Sequence, residues 1–223
     1  MDMIYLWDMA SALVVLGGTL LATLLRSGLR DLGHTLAAIA ALAQPPFDML
    51  KTRSTIAGQV RAIRRDGIRV AEPAHSEDAE TAEAADALAH HGSLEAAMAV
   101  HDRHAAKRIR RREAAVTTLV QMGELAPVFG LAGTLLALAR LPGDGLLAED
   151  LLGAVSTAVL STLYGLLVAH LLILPLARRI ERRGEEEQRA RAEMFIWLKE
   201  QLRDVGPQPV VKRLHAVGPE EAA

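Results

Sequence analysis

The chain has 223 residues, of which 51% are hydrophobic and only 3% aromatic, and its formal net charge is −2 at pH 7. Its apolar residues are mostly Leu, Ala and Val, a composition that favours helices over sheets. There is no cysteine, which excludes a disulfide framework and thiol chemistry. The mean hydropathy is +0.19, and the composition predicts an all-α protein with a large apolar surface.

Three segments are long and apolar enough to cross a bilayer, which requires about 20 residues. They cover approximately residues 9–25, 116–141 and 151–177. No basic residue precedes the first segment, so we expect no cleaved signal peptide. The sequence therefore predicts an all-α integral membrane protein with three transmembrane helices.

Basic residues are distributed unevenly around these spans. Arg26 and Arg30 follow the first span, a basic run at 107–112 precedes the second, and another at 178–183 follows the third. The N-terminal segment and the 142–150 connection contain no Lys or Arg. Because cytoplasmic loops carry the excess of Lys and Arg, we expect an external N-terminus and long cytoplasmic helical extensions.

This orientation divides the chain into four regions. Residues 1–28 hold the first transmembrane helix, and residues 29–113 form a cytoplasmic helical region interrupted at Pro45-Pro46. Residues 114–178 form a hairpin of the second and third transmembrane helices, and residues 179–223 form a cytoplasmic helix and a loose tail. Ser93 can cap a long helix that begins at residue 94, since no strong breaker follows before the outer end of the second span.

No pattern in the chain indicates an enzyme, a cofactor site or a nucleic-acid-binding protein. The basic run at 107–112 lacks interleaved aromatic residues and adjoins a span, which favours a topology signal over a nucleic-acid contact. Four histidines lack the ligand spacing of a metal site, so we interpret them as part of a solvated helical face. These histidines are His90, His91, His101 and His104.

Small and hydroxyl residues recur on one face of each helix in the hairpin. Small residues permit close helix approach, and hydroxyl groups can form hydrogen bonds across a helix interface. From spacing alone, helix packing is favoured over a polar pathway. The residues are Ala126, Gly130, Gly133 and Thr134 on the second span, and Ala158, Thr162, Gly165 and Ala169 on the third.

Four further residues in the hairpin bear on a pathway. Pro127 and Pro175 each remove a backbone donor near the inner end of a span, which favours a kink and local flexibility. Glu124 lies near the start of the second span, and His170 is an ionisable group within the third. His170 fits equally well a functional site, a contact with headgroups or a neutral donor to a neighbouring helix.

No Asp or Glu lies deep in any span. If protons cross the membrane here, the carboxylate that carries them belongs to another chain.

Several segments resemble the MotA/TolQ/ExbB proton-channel family, and MotA-type members in particular. Residues 126–136 (APVFGLAGTLL) are similar to the third membrane helix of MotA-type chains. Residues 160–169 (LSTLYGLLVA) and 174–177 (LPLA) resemble the last helix, and residues 14–23 (VVLGGTLLAT) the second. The segments occur in the family's order, so the resemblance covers most of the chain.

The resemblance implies an inner-membrane proton-channel subunit of a stator or motor, with its N-terminus in the periplasm. It implies a homopentamer around two copies of a single-span MotB/TolR/ExbD-like partner, whose Asp binds the proton. Thr134 and Thr162 would then line the ion pathway, Pro127 and Pro175 would be conformational hinges, and Glu124 and His170 would be candidate titratable groups. The residues implied in helix packing are Gly130, Gly133, Ala158 and Gly165.

The chain departs from the MotA pattern in ways that leave alternatives open. Three spans with an external N-terminus is the TolQ/ExbB layout, although Thr157 stands where those chains carry Glu. His170 replaces the Asn common in MotA-type chains, and residues 66–106 match them poorly. The alternatives are a TolQ/ExbB-type energiser of outer-membrane processes, a passive membrane scaffold and a soluble basic-helix regulator. The transported ion, proton or sodium, is also left open.

Overall fold

The computed structural model describes residues 9–66, 76, 78–141 and 148–203. Within these residues, three helical stretches are long and apolar enough to cross a membrane, as the sequence predicted: Ser11–Ala41, Leu94–Ala139 and Ala148–Leu202. The all-α prediction is also confirmed. The helices are α1 (Met9–Ala41), α2 (Met49–Asp66), α3 (Ala79–His91), α4 (Leu94–Ala139), α5 (Ala148–Leu167), a π segment (Val168–Ile173) and α6 (Leu174–Leu202).

Three predicted features fall outside the described residues. They are the first eight residues, most of the 142–150 connection, and the tail that follows Gly206.

Helix α1 changes direction at Gly28, where φ is 78° and ψ is 166°. L-amino acids with a side chain rarely adopt this positive φ, whereas glycine does so readily. The residue therefore separates the apolar first span from the amphipathic stretch that ends at Ala41. The predicted interruption at Pro45-Pro46 is also present, because α2 begins only at Met49.

Local capping explains where α3 and α4 begin and end. The Asp78 carboxylate accepts a hydrogen bond from the Thr81 backbone N–H at 3.0 Å. Gly92 ends α3 in the left-handed region with a φ of 64°. The Ser93 hydroxyl then accepts a hydrogen bond from the Ala96 N–H at 3.3 Å, which confirms it as the predicted cap of α4.

The third apolar stretch contains a local widening of the helix. From Val168 to Ile173 the backbone forms a π segment, and the Leu174 N–H donates to the Ala169 carbonyl five residues earlier. Pro175 follows immediately and has no N–H to donate. The wider turn keeps a stripe of buried residues in line, although most of its members are four positions apart. The stripe comprises Ala158, Ser161, Gly165, Ala169, Ile173 and Ala177.

The described residues form two compact units. Residues up to Phe47 and those of Ala105–Arg189 make one unit, and Asp48–His104 with the residues from Ala190 make the other. The first unit has a core cluster on α4, the π segment and α6: Leu119, Ala126, Ala169, Ile173, Ala177 and Ile180. The second buries mainly Ile56, Ile63, Leu88, Phe195 and Leu198.

The second unit also contains a buried ionic cluster, which corrects one interpretation of the sequence. His101 is 6% exposed, and its Nδ1 lies 2.6 Å from Glu80 Oε1. Arg191 donates to Glu80 Oε2 at 3.1 Å and to Asp78 Oδ1 at 2.8 Å, while the His101 ring stacks on Phe195. The solvated face predicted for the four histidines is therefore wrong for His101, which is buried between its contact with Glu80 and the Phe195 ring.

Burial raises the pKa of Asp78, but hydrogen bonds from the Arg191 side chain and from Thr81 outweigh it and hold the pKa at about 2. On the exposed edge of the same unit, the pKa of Glu83 is lowered, chiefly by its hydrogen bond with His104. Both carboxylates therefore carry their negative charge at neutral pH, and they hold α3 against cationic or histidine partners.

Candidate functional site on the α4–α5 hairpin

Glycines set the close approach of α4 and α5. A methyl group on Gly165 would lie 2.6 Å from the Ala126 carbonyl oxygen and 3.1 Å from the Pro127 Cα. A methyl group on Gly130 would lie 3.0 Å from the Ser161 carbonyl oxygen. Distances this short exclude a side chain at either position unless the two backbones separate. The structure therefore brings together Gly130 and Gly165, two of the residues assigned to packing.

Ser161 is part of this contact, and the sequence interpretation did not single it out. Its side chain is fully buried, and its hydroxyl donates to the Gly130 carbonyl oxygen at 3.1 Å. The same hydroxyl occupies the space beside Gly133, where a Cβ would collide with it. The sequence pattern that could have identified Ser161 is its spacing, three residues after Ala158 and four before Gly165, which places all three on one helical face.

Thr134 and Thr162, the residues assigned to the ion pathway, are both half-buried. The Thr134 hydroxyl donates to the Leu131 carbonyl at 2.6 Å. The Thr162 hydroxyl donates to the Ala158 carbonyl at 3.4 Å. Each hydroxyl thus donates its proton to a carbonyl of its own helix. The hydroxyl oxygen retains lone pairs that can accept a hydrogen bond from another group.

Helix α1 covers the opposite side of the hairpin. Gly18 on α1 lies against the Phe129 ring of α4, and the Ser11 hydroxyl donates to the Thr157 carbonyl of α5 at 3.5 Å. Thr134 lies five positions after Phe129, and Thr162 lies five positions after Thr157. Five positions correspond to a rotation of about 140° around an α-helix. Both threonines consequently face away from these two contacts with α1, on a side of the hairpin that also carries the exposed side chains of Leu135 and Leu166.

The two prolines occupy different settings. Pro127 lies within the continuous helix α4, and its Cα is next to Gly165 at the tightest point of the hairpin. Pro175 is exposed and lies two residues after the end of the π segment. A π segment thus precedes one of the two prolines, whereas α4 continues through the other.

The candidate titratable residues lie toward the end of the hairpin that carries Arg178. His170 is exposed within the π segment, and Glu124 is exposed on α4. Glu124 follows Gly123, where a methyl group would lie 2.9 Å from the Leu174 side chain. The approach of Gly123 to α6 puts Glu124 at a level near that of His170. Among the described residues, no group of His, Asp and Glu has the geometry of a metal site.

Comparison with known proteins identifies relatives over most of the chain. A model of the MotA/TolQ/ExbB proton channel family matches residues 74–193, which is more than half of the sequence. Motility protein A of Cereibacter sphaeroides is 28% identical over 182 residues, covering 81% of this chain and 72% of that protein.

Two solved structures share the fold. The C. jejuni MotAB structure matches with a TM-score of 0.78 and 16% identity, covering 93% of this chain and 82% of that one. The flagellar MotAB stator complex from Bacillus subtilis matches with a TM-score of 0.77 and 20% identity, covering 96% and 86%.

Proposed function

This chain belongs to the MotA/TolQ/ExbB proton channel family, and we propose that the α4–α5 hairpin forms one wall of its ion pathway. The chain is a membrane protein of the bacterial inner membrane and a stator-type proton-channel subunit. The proposal concerns how it performs this role. The observation that carries it is the position of Thr134 and Thr162, which lie beside the exposed residues Leu135 and Leu166 on a tightly packed hairpin, away from the described contacts of Phe129 and Thr157 with α1.

The ion-binding carboxylate comes from a second protein in this proposal. Between Leu125 and Ala139, and again between Leu151 and Ala177, the sequence contains no Asp or Glu. The hydroxyl oxygens of Thr134 and Thr162 can accept hydrogen bonds but neither take up nor release a proton at any ordinary pH. A single-span partner of the MotB, TolR or ExbD type would supply a carboxylate opposite these threonines, and the two structural matches are complexes named MotAB.

A ring of these subunits, with five copies around two partner chains, would enclose the carboxylate. The proposal is supported by the apolar surface that a single chain leaves open on the hairpin, which neighbouring subunits and lipid would cover together. Exposed residues on that surface include Leu131, Leu135, Val159, Leu163 and Leu171.

The positive-inside pattern gives the orientation of the proposed subunit. The N-terminus would be periplasmic, and residues 29–113 and 179–223 would be cytoplasmic. One proton that crosses 100 mV releases about 2.3 kcal/mol. This energy is comparable to the few kcal/mol that separate alternative packings of a helix interface. Pro127 and the π segment before Pro175 would be the hinges at which the hairpin changes shape.

The experiment measures ion flux and motor output for Thr162→Ala and Thr134→Ala, in the complex with the partner. We expect flux to fall about tenfold or more, because each variant removes a hydroxyl that faces the pathway while leaving the glycine contact intact. Ser156→Ala is the matched control, since this exposed serine lies on the same helix and is rotated by about 120° from Thr162. Unchanged flux and unchanged output in both threonine variants would refute the pathway.

A second candidate is an energiser of outer-membrane processes, since the three spans found among the described residues correspond to the TolQ/ExbB layout. Co-purification distinguishes the two candidates. A stator subunit is expected to bind a partner of the MotB type, whereas an energiser would bind one of the TolR or ExbD type. The flux measurement tests the passive-scaffold alternative, which predicts no ion flux with any partner.

A further inference from the structure

His170 is an ionisable side chain inside the third membrane span. It precedes Arg178 by eight residues, a distance of about 12 Å along a helix, so it lies well within the apolar stretch. It is exposed in the single chain rather than packed against α4. An ionisable residue at such depth is unfavourable against lipid and almost always faces a neighbouring helix or a water-filled cavity.

The π segment determines which side of the helix His170 faces. Thr162, Leu166 and His170 follow one another at four-residue intervals, and the last two are exposed while Thr162 is half-buried. In a regular α-helix, each step of four residues rotates the side chain by about 40°. Because a π turn holds more residues than an α turn, the second step rotates less. His170 therefore remains nearly in line with Leu166 and close to the line of Thr162.

We propose that His170 is a proton relay between the threonine level of the pathway and the inner side of the membrane. One ring nitrogen accepts, through water, a proton released at the threonine level, since His170 follows Thr162 by eight residues, about 12 Å along the helix. The other ring nitrogen then gives up its proton toward the cytoplasmic water, and the ring returns to the neutral form as the opposite tautomer. A rotation of the ring restores the starting state, so one proton enters and one leaves in each cycle.

This inference rests on the proposed function, since a relay needs a pathway to serve. The other charged or ionisable groups described on the helices packed near this segment include Glu124 on α4 and Arg26, Arg30, Asp31 and His34 on α1. Glu124 is exposed. The Nδ1 of His34 lies 3.8 Å from the Asp31 carboxylate. Glu124 is the competing candidate for a relay, because it lies on the hairpin at a similar level.

The test is proton flux through the complex in liposomes, measured as a function of internal pH. We expect the flux of the native complex to depend on the internal pH, because the relay must release its proton to the water on that side. His170→Gln and His170→Asn should each lower flux about tenfold or more and remove the pH dependence, since both preserve hydrogen bonding but cannot carry a proton.

Three matched variants make the result specific. His91→Gln, at an exposed histidine of α3, should behave as the native protein does. Native flux and pH dependence in both His170 variants would overturn the relay, as would loss of the pH dependence in Glu124→Gln but not in His170→Gln. If Thr162→Ala lowers flux while the His170 variants do not, the relay is wrong and the pathway stands. If none of these variants changes flux, the pathway itself is wrong.

Discussion

Gly165→Ala should destabilise the hairpin because Gly165 lies where α4 and α5 are closest. The added methyl carbon would be 2.6 Å from the Ala126 carbonyl oxygen, whereas a favourable carbon–oxygen contact begins near 3.3 Å. The two backbones would have to separate by about 0.7 Å, which would also lengthen the 3.1 Å hydrogen bond from Ser161 to Gly130. Overpacking of this kind is unfavourable by about 1–3 kcal/mol.

Gly153→Ala is the matched control on the same helix. Gly153 is exposed, and a methyl group there would meet no heavy atom within 4 Å. Both substitutions gain the same helix propensity of about 1 kcal/mol, so the difference between them isolates the steric term. Thermal unfolding in detergent should place Gly165→Ala below Gly153→Ala by about 2–10 °C. Equal melting temperatures, or a higher one for Gly165→Ala, would refute the close packing of these helices.

Two further variants test the hydrogen bonds described above. Asp78→Asn keeps an acceptor for the Thr81 N–H but loses the charge paired with Arg191, so it should lower stability by about 1–2 kcal/mol at pH 7. The folded-state pKa of Asp78 is depressed to about 2, so the native advantage is complete above pH 4 and disappears as the pH falls through 2. Chemical denaturation of the native protein and of Asp78→Asn at pH 7 and at pH 2 checks this prediction. A difference in the free energy of unfolding that persists at pH 2 would contradict it. Ser161→Ala should lower the melting temperature through loss of about 0.6–1 kcal/mol, because its bond to Gly130 crosses the helix interface. An unchanged melting temperature would mean that this bond does not stabilise the hairpin.

Much of the fold could be predicted from the sequence because it depends on local signals. Three runs of apolar residues predicted the three long helices, and Ser93, Gly92 and Pro45-Pro46 marked where helices begin and end. These features act over a few residues, through capping and backbone geometry. The small-residue faces likewise predicted a close approach of α4 and α5, and Gly130 and Gly165 lie where the two helices are close.

Other features depend on residues far apart in the chain. The buried pair of Glu80 and Arg191 joins positions separated by 111 residues, and Glu80 also contacts His101, so the sequence around His101 contained no sign that this histidine is buried. Gly28 was one of 17 glycines, and nothing in its immediate neighbours distinguished the one that takes a positive φ in α1. The π segment is indicated only weakly by the sequence. Small or apolar residues recur every four positions from Ser161 to Ala177, a spacing that a regular α-helix cannot keep on one line.

Ion flux through the complex, compared between Thr162→Ser and Thr162→Val, tests the account most directly. Serine keeps the hydroxyl group and loses only a methyl group, whereas valine keeps the shape of threonine and loses the hydroxyl. We predict that the serine variant retains most of the native flux and that the valine variant loses about tenfold or more. Equal flux in the two variants would contradict the central claim, that the hydroxyl face of the α4–α5 hairpin lines the ion pathway.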